Sequence, residues 1–107
     1  MWMMTKDGFF STVQKPGQTD EVTVRSRVKQ DLLNLLDRLN HEAEILEGAG
    51  TDYPYRIVVK KMVWVDYVSR MAENLDYENF KNTVPEDDQK RHDCYFGVWR
   101  ELLRLEA

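Results

Sequence analysis

Two segments of the chain alternate apolar and polar residues, and this two-residue period restricts the fold more than any other feature. Val22–Arg27 reads VTVRSR and Tyr55–Lys60 reads YRIVVK. Successive side chains of a strand point to opposite faces, so each segment is predicted to be a strand with its aliphatic side chains in the core. The same alternation places four cations together on the outer face of one sheet: Arg25, Arg27, Arg56 and Lys60.

A first hairpin is predicted to end in the first of these strands. Phe9–Gln14 is rich in β-branched and aromatic residues, and Lys15–Gln18 contains the Pro-Gly pair of a turn. Continuing the alternation along this strand, we expect Phe9 and Ser11 to face the core and Phe10 to lie on the outer face.

A second hairpin is predicted to end in the second of these strands. Residues 45–47 form its short first strand, Gly48-Ala49-Gly50 forms the turn, and Tyr55–Lys60 is the return strand. Pro54 supports this interpretation because the residue before a proline favours extended geometry.

Three helices are predicted from apolar residues at helical spacing. The first lies between Val28 and Leu39, and the second runs from Met62 to Leu75. Thr83–Glu86 fits a capping box that begins a third helix, with Pro85 in the first turn. The apolar stripe of this helix is expected to lie in the core, with an oligomer interface as the alternative, and it consists of Cys94, Tyr95, Val98, Trp99, Leu102 and Leu105.

The element order ββαββαα predicts the fold class. Antiparallel strands grouped with helices indicate an α+β fold in which a four-stranded antiparallel sheet carries helices mainly on one face. A chain of 107 residues suits one domain, so we expect a single α+β domain over residues 1–107.

The charge and the cysteine content restrict the partners and the compartment. A formal net charge of −4 and a sequence pI of about 5.1 give no general attraction to nucleic acid or to an anionic membrane. Cys94 is the only cysteine, and no stretch is long and apolar enough for a signal peptide or a membrane span. We therefore expect a cytoplasmic protein, monomeric or homodimeric, that does not bind membranes.

Five stretches of the chain resemble a known family. They are Trp2–Ser11 with its TKDGFFS motif, Thr23–Arg27, Asp52–Arg56, Tyr77–Lys81 (YENFK), and Tyr95–Trp99. Together they resemble a family of small uncharacterised bacterial proteins of about this length, some of them carried on phages or other mobile elements. The resemblance covers nearly the whole chain and implies an intact single domain with the second predicted helix. It implies no activity, so no catalytic residue is carried over.

The four cations on the outer sheet face form the first candidate site. Arginine forks bind carboxylates and phosphates with two parallel hydrogen bonds, so this face could hold an acidic protein partner. Nucleic acid is a second candidate ligand, since aromatic side chains beside cations on a sheet bind single-stranded RNA. The alternative interpretation is an ordinary solvated face whose arginines pair with Asp and Glu across the strands.

A second candidate site combines loop residues, and its binding members are Lys6, Asn79 and Lys81 beside Tyr77. The simpler interpretation is structural: Asn79 caps a turn, Phe80 fills the core, and Lys81 stays in water.

Catalytic and metal-binding patterns are weak in this chain. Two histidines and one cysteine without close ligand spacing make a zinc site improbable, and no motif calls for a cofactor. His92 and Cys94 point to different sides of a helix, so we expect Cys94 to be a small buried apolar group and His92 to pair with Asp88.

Three function hypotheses follow from these patterns. The leading one is a non-enzymatic binding module that uses the cationic sheet face or the aromatic last helix, with a protein as its partner. A second is an acidic inhibitor carried by a phage, such as an anti-CRISPR or anti-defence protein, that uses the acidic residues of 62–107 against a nucleic-acid-binding machine. A third is a small hydrolase or nuclease with Arg25 and Arg56 as phosphate clamps and His92 as general base.

Overall fold

The computed structural model of the protein describes residues 1–48 and 52–106. Contacts divide the chain into two compact units, unit one (Met1–Leu75) and unit two (Asp76–Ala107). Of the predicted turn at residues 48–50, only Gly48 is described, and it has a positive φ of 69°. The single domain over residues 1–107 stays a prediction.

Unit one contains an antiparallel sheet of five strands. The strands are β1 (Trp2–Thr5), β2 (Gly8–Val13), β3 (Glu21–Ser26), β4 (Leu46–Glu47) and β5 (Tyr55–Lys60). Their order across the sheet is β1-β2-β3-β5-β4, and every neighbouring pair is antiparallel. With its helices, the protein has the predicted α+β fold.

The predicted number of four strands is wrong, because the opening residues form β1. This strand pairs with β2 from Trp2 opposite Ser11 to Thr5 opposite Gly8. The N-terminal ammonium and the carbonyl of Met1 also bond to the backbone of Thr12. These bonds hold the four-residue strand at the edge of the sheet.

The register of β3 and β5 confirms the predicted alternation along both strands. Val24 lies opposite Ile57, and both side chains are fully buried. Arg25 lies opposite Arg56, one position along. Because directly paired residues share a face, the two arginines lie together on the face opposite the core.

The predicted orientation of β2 is wrong by one residue. Phe10 is fully buried in the core, where its ring meets those of Trp64 and Tyr67 edge to face. Ser11 lies opposite Arg25 and therefore shares the outer face. The pairing with β3 decides which side of β2 is inside, and two consecutive phenylalanines do not reveal it.

Helices α1 (Lys29–Leu39) and α2 (Lys61–Glu73) supply the other half of the core in unit one. Both agree with the predicted helices to within two residues at each end. Their buried side chains meet the valines of β3 and the aliphatic residues of β5 in one cluster, so both helices lie on one face of the sheet. The helical members of this cluster are Leu32, Leu35, Leu36, Trp64 and Tyr67.

The first helix ends at Leu39, and the two residues that follow close it. Asn40 has a left-handed conformation with φ 49°, and its N–H donates to the carbonyl of Asp37. The N–H of His41 donates to the carbonyl of Leu36, which completes the pattern that commonly closes a helix.

Unit two contains a 3₁₀ helix at Phe80–Thr83, helix α3 (Gln89–Leu102) and a 3₁₀ turn at Leu103–Leu105. The predicted capping box at Thr83 is wrong. The helix begins after Asp88, whose Oδ1 accepts the N–H of Arg91 at 3.1 Å, while Thr83 donates to the carbonyl of Phe80. A carboxylate caps a helix as well as a hydroxyl does, and Asp88 lies closer to the first helical turn.

The predicted core stripe of α3 is wrong for most of its members. Tyr95 is buried and stacks on Phe80 with ring centroids 5.7 Å apart. Cys94 is exposed, contrary to the expectation of a small buried group. The other members of the stripe are each more than 40% exposed: Val98, Trp99, Leu102 and Leu105.

Candidate anion-binding site

Arg25 and Arg56 face each other across two central strands of the sheet. They are direct register partners on β3 and β5, and both side chains are partly buried. Like charges directly opposite each other on a sheet destabilise the pairing. The direct pairing of Arg25 with Arg56 is therefore electrostatically unfavourable.

Tyr53, just before β5, contacts Arg25 and also a third arginine, Arg27. The Tyr53 side chain is only 6% exposed. The Cζ atom of Arg25 lies 4.7 Å from the centre of the Tyr53 ring, and that of Arg27 lies 4.6 Å from it. Both distances are in the range of cation–π interactions, which hold guanidinium groups over a ring. Arg27 is further held by a bond from Nη1 to the carbonyl of Asp52 at 2.6 Å.

Hydrogen bonds leave donors of these arginines free. Arg25 donates from Nη2 to Ser11 Oγ at 2.7 Å, and Arg56 makes a long bond from Nη2 to the carbonyl of Tyr53 at 3.4 Å. The Nε of Arg56 is buried and donates to no acceptor among the described residues. A buried donor without an acceptor is costly, so a ligand that accepts this bond would gain it.

No carboxylate among the described residues forms an ion pair with Arg25, Arg27 or Arg56. We call these three residues the arginine cluster. Lys60, the fourth predicted cation, behaves differently: its Nζ lies 3.1 Å from Asp20 Oδ2, and it pairs in register with Glu21. Lys60 therefore differs from the three arginines in having an acidic partner, and the position of that partner depends on the fold.

Apolar side chains lie on both sides of the arginine cluster on the outer face. The register places five residues in one row across the five strands: Leu46, Arg56, Arg25, Ser11 and Trp2. Leu46 is 38% exposed, and Trp2 is 77% exposed with its ring edge against Phe9. The row therefore runs from an apolar end through two cations to an aromatic end.

The turn between β1 and β2, part of the second candidate site, has a structural role through Asp7. Arg38 of α1 binds the Asp7 carboxylate with two bonds of 2.5 and 2.7 Å, and Tyr67 of α2 donates to Asp7 Oδ2 at 2.9 Å. The Tyr67 hydroxyl also lies 2.7 Å from Thr5 Oγ1. These bonds join the first hairpin to both helices, and Lys6 beside them stays exposed.

The environment of this polar network shifts two pKa values. Burial raises the pKa of Tyr67 well above its ordinary value of 10.0, with a further increase from the Asp7 carboxylate. The hydrogen bond to Asp7 raises the pKa of Arg38. Each group is therefore held in one protonation state, as a structural cross-link requires. Sequence reasoning missed the network because its members lie up to 62 positions apart.

Gly8 follows this turn and permits a close approach between hairpin and helix. A Cβ at this position would overlap the Asp31 side chain, and φ is +157°. Asp31 uses the space to accept the N–H of Phe9 at Oδ2, at 3.1 Å.

The other members of the second candidate site lie in unit two. The Asn79 side chain accepts the N–H of Lys81 at 3.1 Å and so caps the 3₁₀ helix, as the simpler interpretation requires. Lys81 does not extend freely into water, since its Nζ lies 5.1 Å from the ring centre of Trp99 and 5.9 Å from that of Phe96.

Within unit two, His92 lies beside the backbone of the segment that precedes α3. Asp88 pairs with Arg91 at 3.1 Å, whereas His92 Nε2 lies 3.2 Å from the carbonyl of Pro85, so the predicted pair of Asp88 and His92 is wrong. In the part of the chain that the structure describes, no group of three His, Cys, Asp or Glu side chains could hold a metal ion.

The chain matches no protein-family model, no curated protein and no solved structure. Its likeness to small bacterial proteins stays a prediction. Among residues 1–48 and 52–106, no helix has both the length and the apolar character needed to cross a membrane.

Proposed function

We propose that the protein is a non-enzymatic binding module and that the arginine cluster binds an acidic segment of a partner protein. The observation that carries the proposal is the convergence of two guanidinium groups on the Tyr53 ring and of a third on its carbonyl, without a carboxylate partner among the described residues. A carboxylate between Arg25 and Arg56 would relieve their repulsion and accept the free Nε–H of Arg56.

An acidic protein segment fits this face better than nucleic acid does. Tyr53 is 6% exposed and covered by two guanidinium groups, so its ring offers no free face on which a base could stack. The net charge of −4 also opposes the approach of a polyanion along a long track of phosphates. A short segment with a few carboxylates needs to contact only the arginine cluster, and not a long basic surface.

The row of side chains across the sheet suggests the pattern of the bound segment. Leu46 and Trp2, at the two ends of the row, would contact apolar side chains, while Arg56 and Arg25 would bind the carboxylates between them. The proposed ligand is therefore a segment with acidic residues flanked by apolar ones.

The test is a titration of the full chain with a fluorescein-labelled peptide in which glutamates are flanked by leucines. We expect binding that weakens as salt is added, because the contacts are charged and partly exposed. In the NMR spectrum of the protein, the Nε–H signal of Arg56 should shift, since this donor acquires an acceptor. The paired substitution Arg25→Glu and Arg56→Glu should weaken binding at least about tenfold.

Lys60→Glu is the matched control for this test. It reverses a charge on the same face, but Lys60 already pairs with Asp20, so binding of the peptide should change little. Circular dichroism should show that all variants are folded, and Arg25→Gln with Arg56→Gln repeats the test without added negative charge. Binding of a uridine oligomer in place of the peptide, or binding of neither ligand, would contradict the proposal.

The two other hypotheses stay predictions. For the acidic inhibitor, Glu86 and Asp87 are exposed, whereas Asp88 caps α3 and pairs with Arg91. For the hydrolase, the required meeting of His92 with Arg25 and Arg56 stays untested.

A further inference from the structure

Strand β5 continues past its neighbour β4 at one edge of the sheet. β4 pairs only with Tyr55 and Arg56, whereas β3 pairs with β5 along its whole length. Among the described residues, the second half of β5 (Ile57–Lys60) therefore has a strand on one side only. We call this half of β5 the open edge.

The bonds of the sheet show which backbone groups the open edge presents. On the β4 side, the N–H of Gly48 donates to the carbonyl of Pro54. On the β3 side, the N–H of Lys61 donates to the carbonyl of Asp20. Because bonded and non-bonded pairs alternate along antiparallel strands, even-numbered residues of β5 direct their backbone groups toward β4 and odd-numbered ones toward β3. The N–H and the carbonyl of Val58 therefore point out of the open edge.

A groove lies beside the open edge. Residues 41–45, which lead into β4, form no backbone hydrogen bond with the open edge. The groove has a volume of about 340 Å³, and its walls include Ala43 on one side and Val58 and Val59 on the other. Val58 is 41% exposed, so the groove and the backbone groups beside it are accessible. The volume is at the lower end of the range for ligand sites and suits a few residues of an extended chain.

We propose that the open edge binds an extended basic segment of a partner protein, which adds a strand to β5 in this groove. The unpaired backbone of Val58 and the charge of the groove support this occupant. The proposal does not depend on the arginine cluster, which uses other side chains.

The charge of the groove is complementary to a basic segment. Three carboxylates line it, those of Glu21, Glu42 and Glu44, and none of them forms an ion pair with a described residue. Lys60 also lines the groove, but it is paired with Asp20 at 3.1 Å. Lysine or arginine side chains would therefore meet unpaired carboxylates here, whereas an acidic segment would be repelled.

The backbone of the open edge favours a peptide over a small cation. Val58 presents a donor and an acceptor, and an extended peptide supplies the matching acceptor and donor, as in strand addition to other free sheet edges. An ammonium ion would use the carbonyl and the carboxylates but would leave the N–H of Val58 without an acceptor.

The test is an NMR titration of the full chain with a short peptide in which lysine alternates with valine. We expect binding that weakens as salt is added, because the carboxylates are partly exposed. At saturation, the amide of Val58 should exchange with solvent at least about tenfold more slowly than in the free protein. The amides of Ile57 and Val59, which face β3, should keep their exchange rates.

A second peptide separates strand addition from simple charge attraction. It has the same side chains but a methyl group on every backbone nitrogen, so it keeps its charges and cannot donate backbone hydrogen bonds. We expect it to bind at least about tenfold more weakly than the first peptide.

Variants of the protein test the charge of the groove. Glu42→Gln with Glu44→Gln should weaken binding at least about fivefold. Glu73→Gln with Glu78→Gln is the matched control, since it removes two exposed carboxylates outside the groove and should leave binding unchanged. Circular dichroism should show that all variants are folded.

The double variant Arg25→Gln with Arg56→Gln should bind the lysine peptide as the wild type does, which distinguishes this site from the arginine cluster. Three outcomes would overturn the proposal: no binding of the lysine peptide, equal binding of the methylated peptide, or an unchanged exchange rate at Val58 when the peptide is bound.

Discussion

At the scale of single residues, Asp7 shows how a buried charge is tolerated in a small fold. Its carboxylate is 8% exposed and accepts two bonds from Arg38 and one from Tyr67. Removing one partner of such a group leaves a buried acceptor unsatisfied, which costs more than the bond itself contributes. The same rule makes the buried Nε–H of Arg56, which has no acceptor among the described residues, unfavourable.

Tyr67→Phe tests the hydrogen bonds to Asp7 at their fully buried member, Tyr67. The substitution keeps the ring, which packs on Phe10 and Trp64, and removes only the hydroxyl. We expect the free energy of unfolding to fall by about 1–3 kcal/mol, measured by urea denaturation. Tyr77→Phe is the control, since Tyr77 is 37% exposed and should leave stability within about 0.5 kcal/mol of the wild type.

The pH dependence of the stability of the wild type and of Tyr67→Phe gives a second measurement. Because burial raises the pKa of Tyr67 in the folded state, its contribution is complete below the unfolded value of 10.0 and is lost as pH rises above it. The difference in stability between wild type and Tyr67→Phe should therefore shrink above pH 10. A difference that grows with pH would contradict the assignment.

At the scale of secondary-structure elements, the start of α3 depends on Asp88. Its side chain accepts the N–H of Arg91, and this bond lowers the pKa of the carboxyl group below its ordinary value. A lowered folded pKa means that the stabilisation is present above the unfolded value of 3.8. It is lost as pH falls below that value toward the folded pKa.

Asp88→Ala should therefore fray the first turn of α3, whereas Thr83→Ala should not. The measurement is the amide chemical shift and exchange rate of Arg91, whose N–H loses its acceptor only in the first variant. Asp88→Asn is the control, because an asparagine caps a helix equally well without a charge. Equal fraying in Asp88→Ala and Thr83→Ala would support the capping box that the sequence predicts.

At the scale of the whole molecule, apolar burial is distributed unequally. All members of the central core cluster belong to unit one, whereas the buried apolar residues of unit two among those described are Val84 and Tyr95. Local stability follows buried apolar contacts, so unit two should open more readily than the sheet.

Native-state hydrogen exchange measures this inequality directly. Amides of β3 and β5 should exchange at least about tenfold more slowly than those in the centre of α3. Equal protection in both regions would show that the chain unfolds as one cooperative domain, as the sequence predicts for residues 1–107.

The sequence by itself determined the features that depend on local spacing. The two-residue period of Val22–Arg27 and Tyr55–Lys60 predicted the buried and outer faces of the two central strands, and helical spacing predicted α1 and α2. The capping residue of α3 was not determined in this way, because Thr83 and Asp88 both carry suitable acceptors.

Only the tertiary structure decided which distant groups meet. The pairing of Ser11 with Arg25 set the inner side of β2, and the position of Tyr53 gathered Arg25 and Arg27. The partner of Lys60 was settled in the same way. The physical reason is that periodicity is a property of neighbouring residues, whereas strand register and the placement of counter-charges arise from contacts between segments far apart in the chain.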